Sequence, residues 1–248
     1  MQISQPEIGW KILHYDVVAS TNDVIRMLSE NEDIVHGTVV MADYQSSGRG
    51  QSGKGWESEP GKNIILSFCL VPMNIMAGEQ PNLNLFICLA VYDLVNSCFP
   101  GITKIKWPND IYVNDQKISG ILIENVIQGQ LIKSCVIGIG VNVNQKSFLV
   151  GRATSFRLLA GKEFDTKKLA SELFFYLNNR YHEFNMKLRT KLNDDYLNAL
   201  FLFGEKAKFQ WGEEIIEGEI HGIDENGKLK LKTTEGMKFF SYREITFI

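Results

Sequence analysis

The sequence predicts an α+β fold: a mixed β-sheet with helices over residues 1–200, followed by a small all-β barrel at 204–248. Three observations carry this. Short apolar runs alternate with helix-period segments up to about residue 200, so strands and helices share one core. Beyond Gly204 four strand-like runs follow one another, split by Gly212, Asn226-Gly227 and Glu235-Gly236. The Asn-Gly pair between such runs is a strong hairpin signal. A tail of about 45 residues is short for a core of its own, so it is expected to dock on the main domain.

Taken in order, Ile12 to Val18 mixes apolar and polar residues as a strand does, and Ser20 opens a helix through about Glu30. Thr38 to Ala42 reads as a strand, Ser46 to Gly61 as a long glycine-rich loop and Asn63 to Leu70 as an apolar strand. Leu83 to Cys98 has helical periodicity and stops at Pro100-Gly101. Four short strands are expected next, at Lys104–Lys106, Ile111–Val113, Lys117–Glu124 and Leu131–Ile139. Asp165 can cap a long helix whose apolar positions (Leu169, Leu173, Leu177, Tyr181, Phe184, Leu188) recur every three or four residues. The last strands are read at Lys206–Trp211, Glu214–Ile220, Lys228–Leu231 and Met237–Phe240.

The 248 residues are 44% hydrophobic and 22% charged, the balance of a soluble globular chain. A net charge of −3 gives no bulk positive field for nucleic acid, so any basic surface must be local. Cys69, Cys88, Cys98 and Cys135 show no CxxC and no spacing with histidine, which fits buried thiols in a reducing cytosol. Met1 to Trp10 lacks the apolar core of a signal peptide, and no apolar run reaches the ~20 residues of a membrane span. A cytoplasmic protein with no membrane partner is expected.

Four segments carry chemistry. Ser20-Thr21-Asn22-Asp23 sits at a strand-to-helix junction; it is either a capping box, Ser20 with Asp23, or a set of hydroxyls and amides around a polar ligand group. Tyr44 to Trp56 threads Arg49, Lys54 and Trp56 between glycines, so bare backbone N–H groups and two cations can close over an anion. No GK[ST] ends that stretch, so it is not an ordinary phosphate loop. Lys106-Trp107-Pro108-Asn109-Asp110 is a rigid turn between apolar strands, followed by Lys117 and by Gly120-Ile121-Leu122-Ile123-Glu124. Gly138-Ile139-Gly140-Val141-Asn142-Val143-Asn144 ends a strand, and Asn142 could read the edge of a base.

Together the STN junction, GRGQSGKGW, KWPNDI, KISGILIE and GIGVNVN resemble the catalytic domain of biotin protein ligases, in the same order and at similar spacing. The resemblance covers nearly the whole chain, since that family also ends in a small β barrel. Two positions depart from its pattern: Gln51 stands for the second arginine of the loop, with Lys54 for the next one, and Ser119 stands for the first glycine of GGILxE. Residues before Ser20 are too few for an N-terminal helix-turn-helix domain, so a ligase without operator binding, with no DNA partner, is expected.

The resemblance implies an enzyme that activates biotin with ATP as an acyl-adenylate and transfers it to a lysine of a biotin carboxyl carrier domain. Lys117, Arg49, Lys106 and Asp110 are the implied catalytic groups, and Asp110 the implied partner of a Mg²⁺ arriving with the nucleotide. The biotin site implied is Ser20, Thr21, Asn22, Gln45, Gly48, Arg49, Gly50, Gln51, Trp56, Lys117, Gly120 and Leu122. The nucleotide is expected on Arg49, Lys106, Trp107, Asn109, Asn142 and Arg243. No tightly bound prosthetic group is expected, and the family allows a homodimer. The alternatives are a lipoate or octanoate ligase of the same fold, or a biotin-sensing regulator without activity.

Overall fold

The computed structural model describes residues 6–30, 34–71, 75–149 and 151–248. Its first part runs β1 (Ile12–Val18), α1 (Thr21–Glu30), β2 (Val39–Gln45), β3 (Ile64–Leu70), β4 (Ile75–Met76), α2 (Gln80–Cys98), β5 (Thr103–Lys106), β6 (Asp110–Val113), β7 (Gln116–Gln128) and β8 (Leu131–Val141). Three helices follow, α3 (Phe156–Ala160), α4 (Thr166–Asn185) and α5 (Arg189–Ala199). The chain ends in β9 (Lys206–Trp211), β10 (Glu214–Ile223), β11 (Leu229–Thr233), β12 (Gly236–Phe240) and β13 (Thr246–Phe247).

The first eight strands form one mixed sheet in the order β1-β2-β3-β8-β7-β6-β5, with β4 pairing to β8. Among the described strand pairs of this sheet β1 and β2 alone are parallel, from Ile12↔Val39 to Val18↔Gln45; a parallel pair needs a crossover, which α1 supplies. The other pairs are antiparallel.

Side-chain alternation then sorts the two faces. Ile64, Leu66, Phe68 and Leu70 of β3 and Cys135, Ile137, Ile139 and Val141 of β8 join the main core with α2, α4 and α5. Cys69 and Val136 point the other way and meet Ile25 of α1 and Val40. Burial on both faces explains why β3 is a continuous apolar run. It also pushes the thiols of Cys69 (to about 11), Cys88 and Cys135 up, so none of these is a thiolate at neutral pH.

Helix α4 begins where expected: Asp165 Oδ1 accepts from the N–H groups of Lys167 and Lys168 at 2.9 and 3.1 Å. It ends earlier than its apolar stripe suggested. Lys187 is left-handed at φ 56°, and Leu188 becomes the N-cap of α5. Helix α5 has a polar sequence and escaped notice because it buries just Leu192, Tyr196 and Ala199. The short α3 was missed too; Ser155 Oγ caps it by accepting from the Leu158 N–H at 3.2 Å.

The C-terminal strands pair in the order β12-β11-β10-β9-β13. The Asn226-Gly227 hairpin forms as expected, with Gly227 at φ 78° and the Asp224 carboxylate accepting from the N–H groups of Asn226 and Lys228. The barrel does not. The sheet stays open, because β13 has two residues, Thr246 and Phe247, spent on β9, and β12 at the far edge pairs with β11 alone. Phe209, Ile220, Leu229, Leu231, Phe240 and Ile245 belong to the same core cluster as the large sheet. The Trp107 indole N–H donates to the Gly227 carbonyl at 3.0 Å, pinning the hairpin to the turn between β5 and β6.

Helices α2, α4 and α5 are tied by Arg180, whose side chain is 14% exposed. Its guanidinium meets Asp93 at 2.7 Å, Asp195 at 2.5 Å and Glu183 at 2.8 Å, and Lys191 closes the ring on Glu183 and Asp195. Burial pushes the Asp93 carboxyl up while Arg180 pulls it down. Removing one partner of a buried pair strands its counter-charges. Arg180→Ala should therefore lower stability by about 3 kcal/mol in reversible urea unfolding, and a loss under about 1 kcal/mol would show that the cluster is solvated.

Candidate active site

The floor of the site is the face of the sheet opposite the helical core, and it is made of absences. A Cβ on Gly138 would lie 2.4 Å from Asn22 Oδ1, and one on Gly140 would lie 2.3 Å from Trp56 Cε2. At Gly120 it would sit 3.1 Å from the Trp56 ring and 3.2 Å from Lys117 Nζ. These three glycines let the start of α1, the loop tryptophan and the lysine of β7 converge on the sheet.

One end is a neutral hydrogen-bonding cluster. Gln45 Oε1 accepts from the Thr21 N–H at 2.8 Å and the Thr21 hydroxyl at 3.0 Å. The Ser67 hydroxyl donates to Asn22 Oδ1 at 2.5 Å and lies 2.6 Å from Thr21 Oγ1. Asn22 Nδ2 donates to Glu124 at 2.7 Å. With its oxygen committed to Thr21, Gln45 has its amide nitrogen left to donate.

The other end is charged. Lys117 Nζ lies 2.6 Å from Asp110 Oδ1 and 5.8 Å from the centre of the Trp56 ring. The Lys117 backbone is gripped on both sides, by the Arg152 carbonyl and the Thr154 N–H. Asn109 is buried, and its amide donates to the Ile121 carbonyl, fastening the Trp107–Asp110 turn to β7. On the rim Arg49 meets Asp23 at 2.6 Å and Glu124 at 3.7 Å, while Arg26 meets the same two carboxylates at 3.4 and 2.9 Å. Asp23, marked by its spacing as a capping-box partner, is thus an anchor for the loop.

A cavity of about 150 Å³ joins the two ends. Of the site residues expected from sequence, Ser20, Thr21, Asn22 and Gln45 line it, as do Arg49, Gly50, Gln51 and Trp56 of the loop. Asn109, Asp110, Lys117, Gly120 and Leu122 complete the set. Two cavity side chains carry buried polar atoms without a partner, Trp56 Nε1 and Gln51 Oε1.

Five expected residues lie outside this lining. Gly48 acts one step back: its carbonyl accepts from the Trp56 N–H at 2.9 Å, and a Cβ there would lie 2.7 Å from the Trp56 carbonyl. Lys106 turns onto the rings of Tyr112, Phe247 and Phe201 at 4.8, 5.1 and 5.9 Å, and burial lowers its pKa. Trp107 is buried against the C-terminal hairpin. Asn142 donates to the Thr154 carbonyl at 3.0 Å, leaving its buried Oδ1 without a partner. Arg243 lies 6.0 Å from the centre of the Tyr242 ring.

Sequence reasoning missed Tyr242 and Ser67 as parts of the site, and it marked the segment holding Gly138 and Gly140 without giving those two glycines a role. The two glycines alternate along a buried strand, which was a usable signal of close approach. Tyr242 gave none, because a long-range docking brings it there. For a divalent ion, the cavity offers the Asp110 carboxylate. A separate exposed grouping, His14, Asp16 and Asp43, has its donor atoms within 4.8 Å of one another on β1 and β2. Chemically, the arrangement can hold a neutral polar head at one end and present an ammonium to an anion at the other.

The chain is similar in sequence and in fold to known proteins. The model of the biotin/lipoate A/B protein ligase family matches residues 15–142. The chain is 31% identical over 236 residues to the bifunctional ligase/repressor BirA of Bacillus subtilis, covering 93% of this chain and 72% of that protein. It is 32% identical over 232 residues to the biotin–[acetyl-CoA-carboxylase] ligase of Mycobacterium tuberculosis, covering 90% and 84%. The biotin protein ligase of Aquifex aeolicus, solved in complex with biotin and ATP, superposes with a TM-score of 0.79 at 27% identity, over 96% of this chain and 99% of that one.

The floor makes its own prediction. Gly140→Ala places a methyl group inside the Trp56 ring, so the indole must move, at about 1–3 kcal/mol. The emission of Trp56, isolated by subtracting the spectrum of Trp56→Phe, should shift while the far-UV spectrum is retained. An unchanged Trp56 emission would mean that the ring is not seated on Gly140.

Proposed function

The chain belongs to the biotin/lipoate A/B protein ligase family, and on that premise we propose that it is an ATP-dependent biotin protein ligase. The observation that carries this reading is the single cavity that joins a neutral donor–acceptor cluster to the Lys117–Asp110 pair. Biotin needs such a shape: an uncharged ureido head, an apolar chain, and a carboxylate that must meet a second anion. Ser20, Thr21 and the Gln45 amide suit the head. Trp56, Gly120 and Leu122 suit the chain, with Asn22, Gly48, Gly50 and Gln51 shaping the loop and floor around it.

In the first step a biotin carboxylate oxygen attacks the α-phosphorus of ATP, and the bond to pyrophosphate breaks. Lys117 offsets the charge where the two anions meet, and Arg49 is the second cation. Asp110 is suited to the Mg²⁺ that accompanies ATP, since such ions take one or two carboxylates alongside phosphate oxygens; when bound, that ion neutralises phosphate charge. The orphaned Asn142 Oδ1 suits an adenine amine, and Asn109 in the cavity lining and Arg243 beside Tyr242 are the further nucleotide contacts that this reading calls for. Lys106 and Trp107 act on the nucleotide by holding the turn that delivers Asn109 and Asp110.

In the second step a lysine amine of the acceptor attacks the acyl carbon, the bond to the phosphate oxygen breaks, and AMP leaves. A free lysine with a pKa of about 10.4 is neutral in only about one copy in a few thousand at pH 7. Asp110, the carboxylate beside Lys117, is suited to take its proton as well as to meet the metal. The acceptor is a carrier protein of a biotin-dependent carboxylase, in keeping with the acetyl-CoA carboxylase named for the mycobacterial relative. Mass spectrometry of a biotin carboxyl carrier domain after incubation with biotin and MgATP should show one added biotinyl group on one lysine. An unmodified domain would count against the reading.

Lys117→Ala should cut biotin-dependent ATP–pyrophosphate exchange by about a hundredfold or more, the effect of losing one charge-stabilising group. The variant should keep the unfolding midpoint of the parent to within a few degrees. Exchange within tenfold of the parent would remove Lys117 from the reaction.

A further inference from the structure

We propose that Tyr242 is the solvent-side wall of the cavity at its Lys117–Asp110 end, and that it holds water off the activated carboxyl group until the acceptor amine arrives. The inference rests on the biotin ligase reading and adds to it a residue from the turn between β12 and β13.

Among the described residues lining the cavity, Tyr242 alone comes from beyond Gly140. Its ring meets that of Trp107 edge-on at 6.3 Å. Trp107 begins the turn that delivers Asn109 and Asp110, so Tyr242 belongs to the acid end and not to the Thr21–Gln45 end. The residue is also 40% exposed. A residue that lines a cavity and is also open to solvent stands at the boundary between the two.

The backbone around it is built to aim that ring. Glu244 N–H donates to the Ser241 carbonyl at 3.1 Å, and the Ser241 N–H donates back to the Glu244 carboxylate at 2.6 Å. Arg243, third residue of this tight turn, sits at φ 75°, a position where glycine is the unstrained choice. An arginine held there by a doubly closed turn marks a conformation kept for what it positions.

The chemistry at risk is hydrolysis of the mixed anhydride. Water oxygen attacks the acyl carbon, the carbon–oxygen bond to phosphate breaks, and biotin carboxylate and AMP separate while two protons pass to solvent. A wall of ring carbon at this point slows that loss without contributing any charge.

The test compares the parent with Tyr242→Ala and Tyr242→Phe, measuring biotin-dependent AMP release without acceptor against ATP–pyrophosphate exchange. For Tyr242→Ala the ratio of release to exchange should rise about fivefold or more, whereas Tyr242→Phe, which keeps the ring, should match the parent. An unchanged ratio in Tyr242→Ala overturns the proposal, as does an equal fall of both rates, which would make the residue a structural or nucleotide contact. If the parent itself shows no biotin-dependent exchange, the ligase reading fails. The wall is then judged by amide hydrogen exchange over 109–122. Faster exchange in Tyr242→Ala and parental exchange in Tyr242→Phe sustain it, and no difference overturns it.

Discussion

The site depends on one steric constraint: the sheet must be bare where three other elements touch it. Gly138, Gly140 and Gly120 lie on neighbouring antiparallel strands, with Gly120 paired to Gly140 and Leu122 to Gly138. Without side chains there, Asn22 and Trp56 come down to the backbone, and Lys117 turns in over its own strand. The opposite face of the same strands carries Cys135, Ile137, Ile139 and Val141 into the main core. Period-two alternation thus gives one strand two tasks, a packed side that fixes its position and a bare side on which Asn22 and Trp56 settle.

On this rigid floor the charges are arranged loosely. Arg49, Asp23, Arg26 and Glu124 are each between about a third and two-fifths exposed, and pairs of that kind contribute about 0–1 kcal/mol each. A phosphate group can take Arg49 from its carboxylates at little cost. The Lys117–Asp110 pair is similarly open, with side chains 32% and 28% exposed. The Arg180 cluster behind the sheet differs in number of partners: its guanidinium, 14% exposed, meets three carboxylates and ties helices together, while Lys191 at its edge is 50% exposed. Thr21, Asn22, Gln45 and Ser67 form the third kind of polar group, buried and committed to one another.

Much of this was legible in the sequence wherever the signal was local. β1, α1, β3, the capping of α4 by Asp165 and the Asn226-Gly227 hairpin follow from periodicity, caps and turn chemistry. Thirteen of the eighteen expected site residues, Ser20 and Lys117 among them, line one cavity because the motifs sit at strand ends that a sheet brings together. The misses were long-range. Nothing near Lys106 says that Phe201 and Phe247 supply its aromatic bed, and nothing near Trp107 names Gly227 as its acceptor. Whether the C-terminal strands close depends on the length of β13 and not on their own alternation. Helix α5 was invisible because its one buried stripe is three residues wide.

The account's central claim is that the carboxylate held at the Lys117–Asp110 end is itself the nucleophile toward the α-phosphorus. Biotin labelled with ¹⁸O in its carboxyl group tests this directly, by mass spectrometry of the AMP released during acceptor biotinylation. If the carboxylate attacks, each AMP carries one labelled oxygen from biotin and pyrophosphate carries none. Unlabelled AMP accompanying biotinylated acceptor would contradict the account.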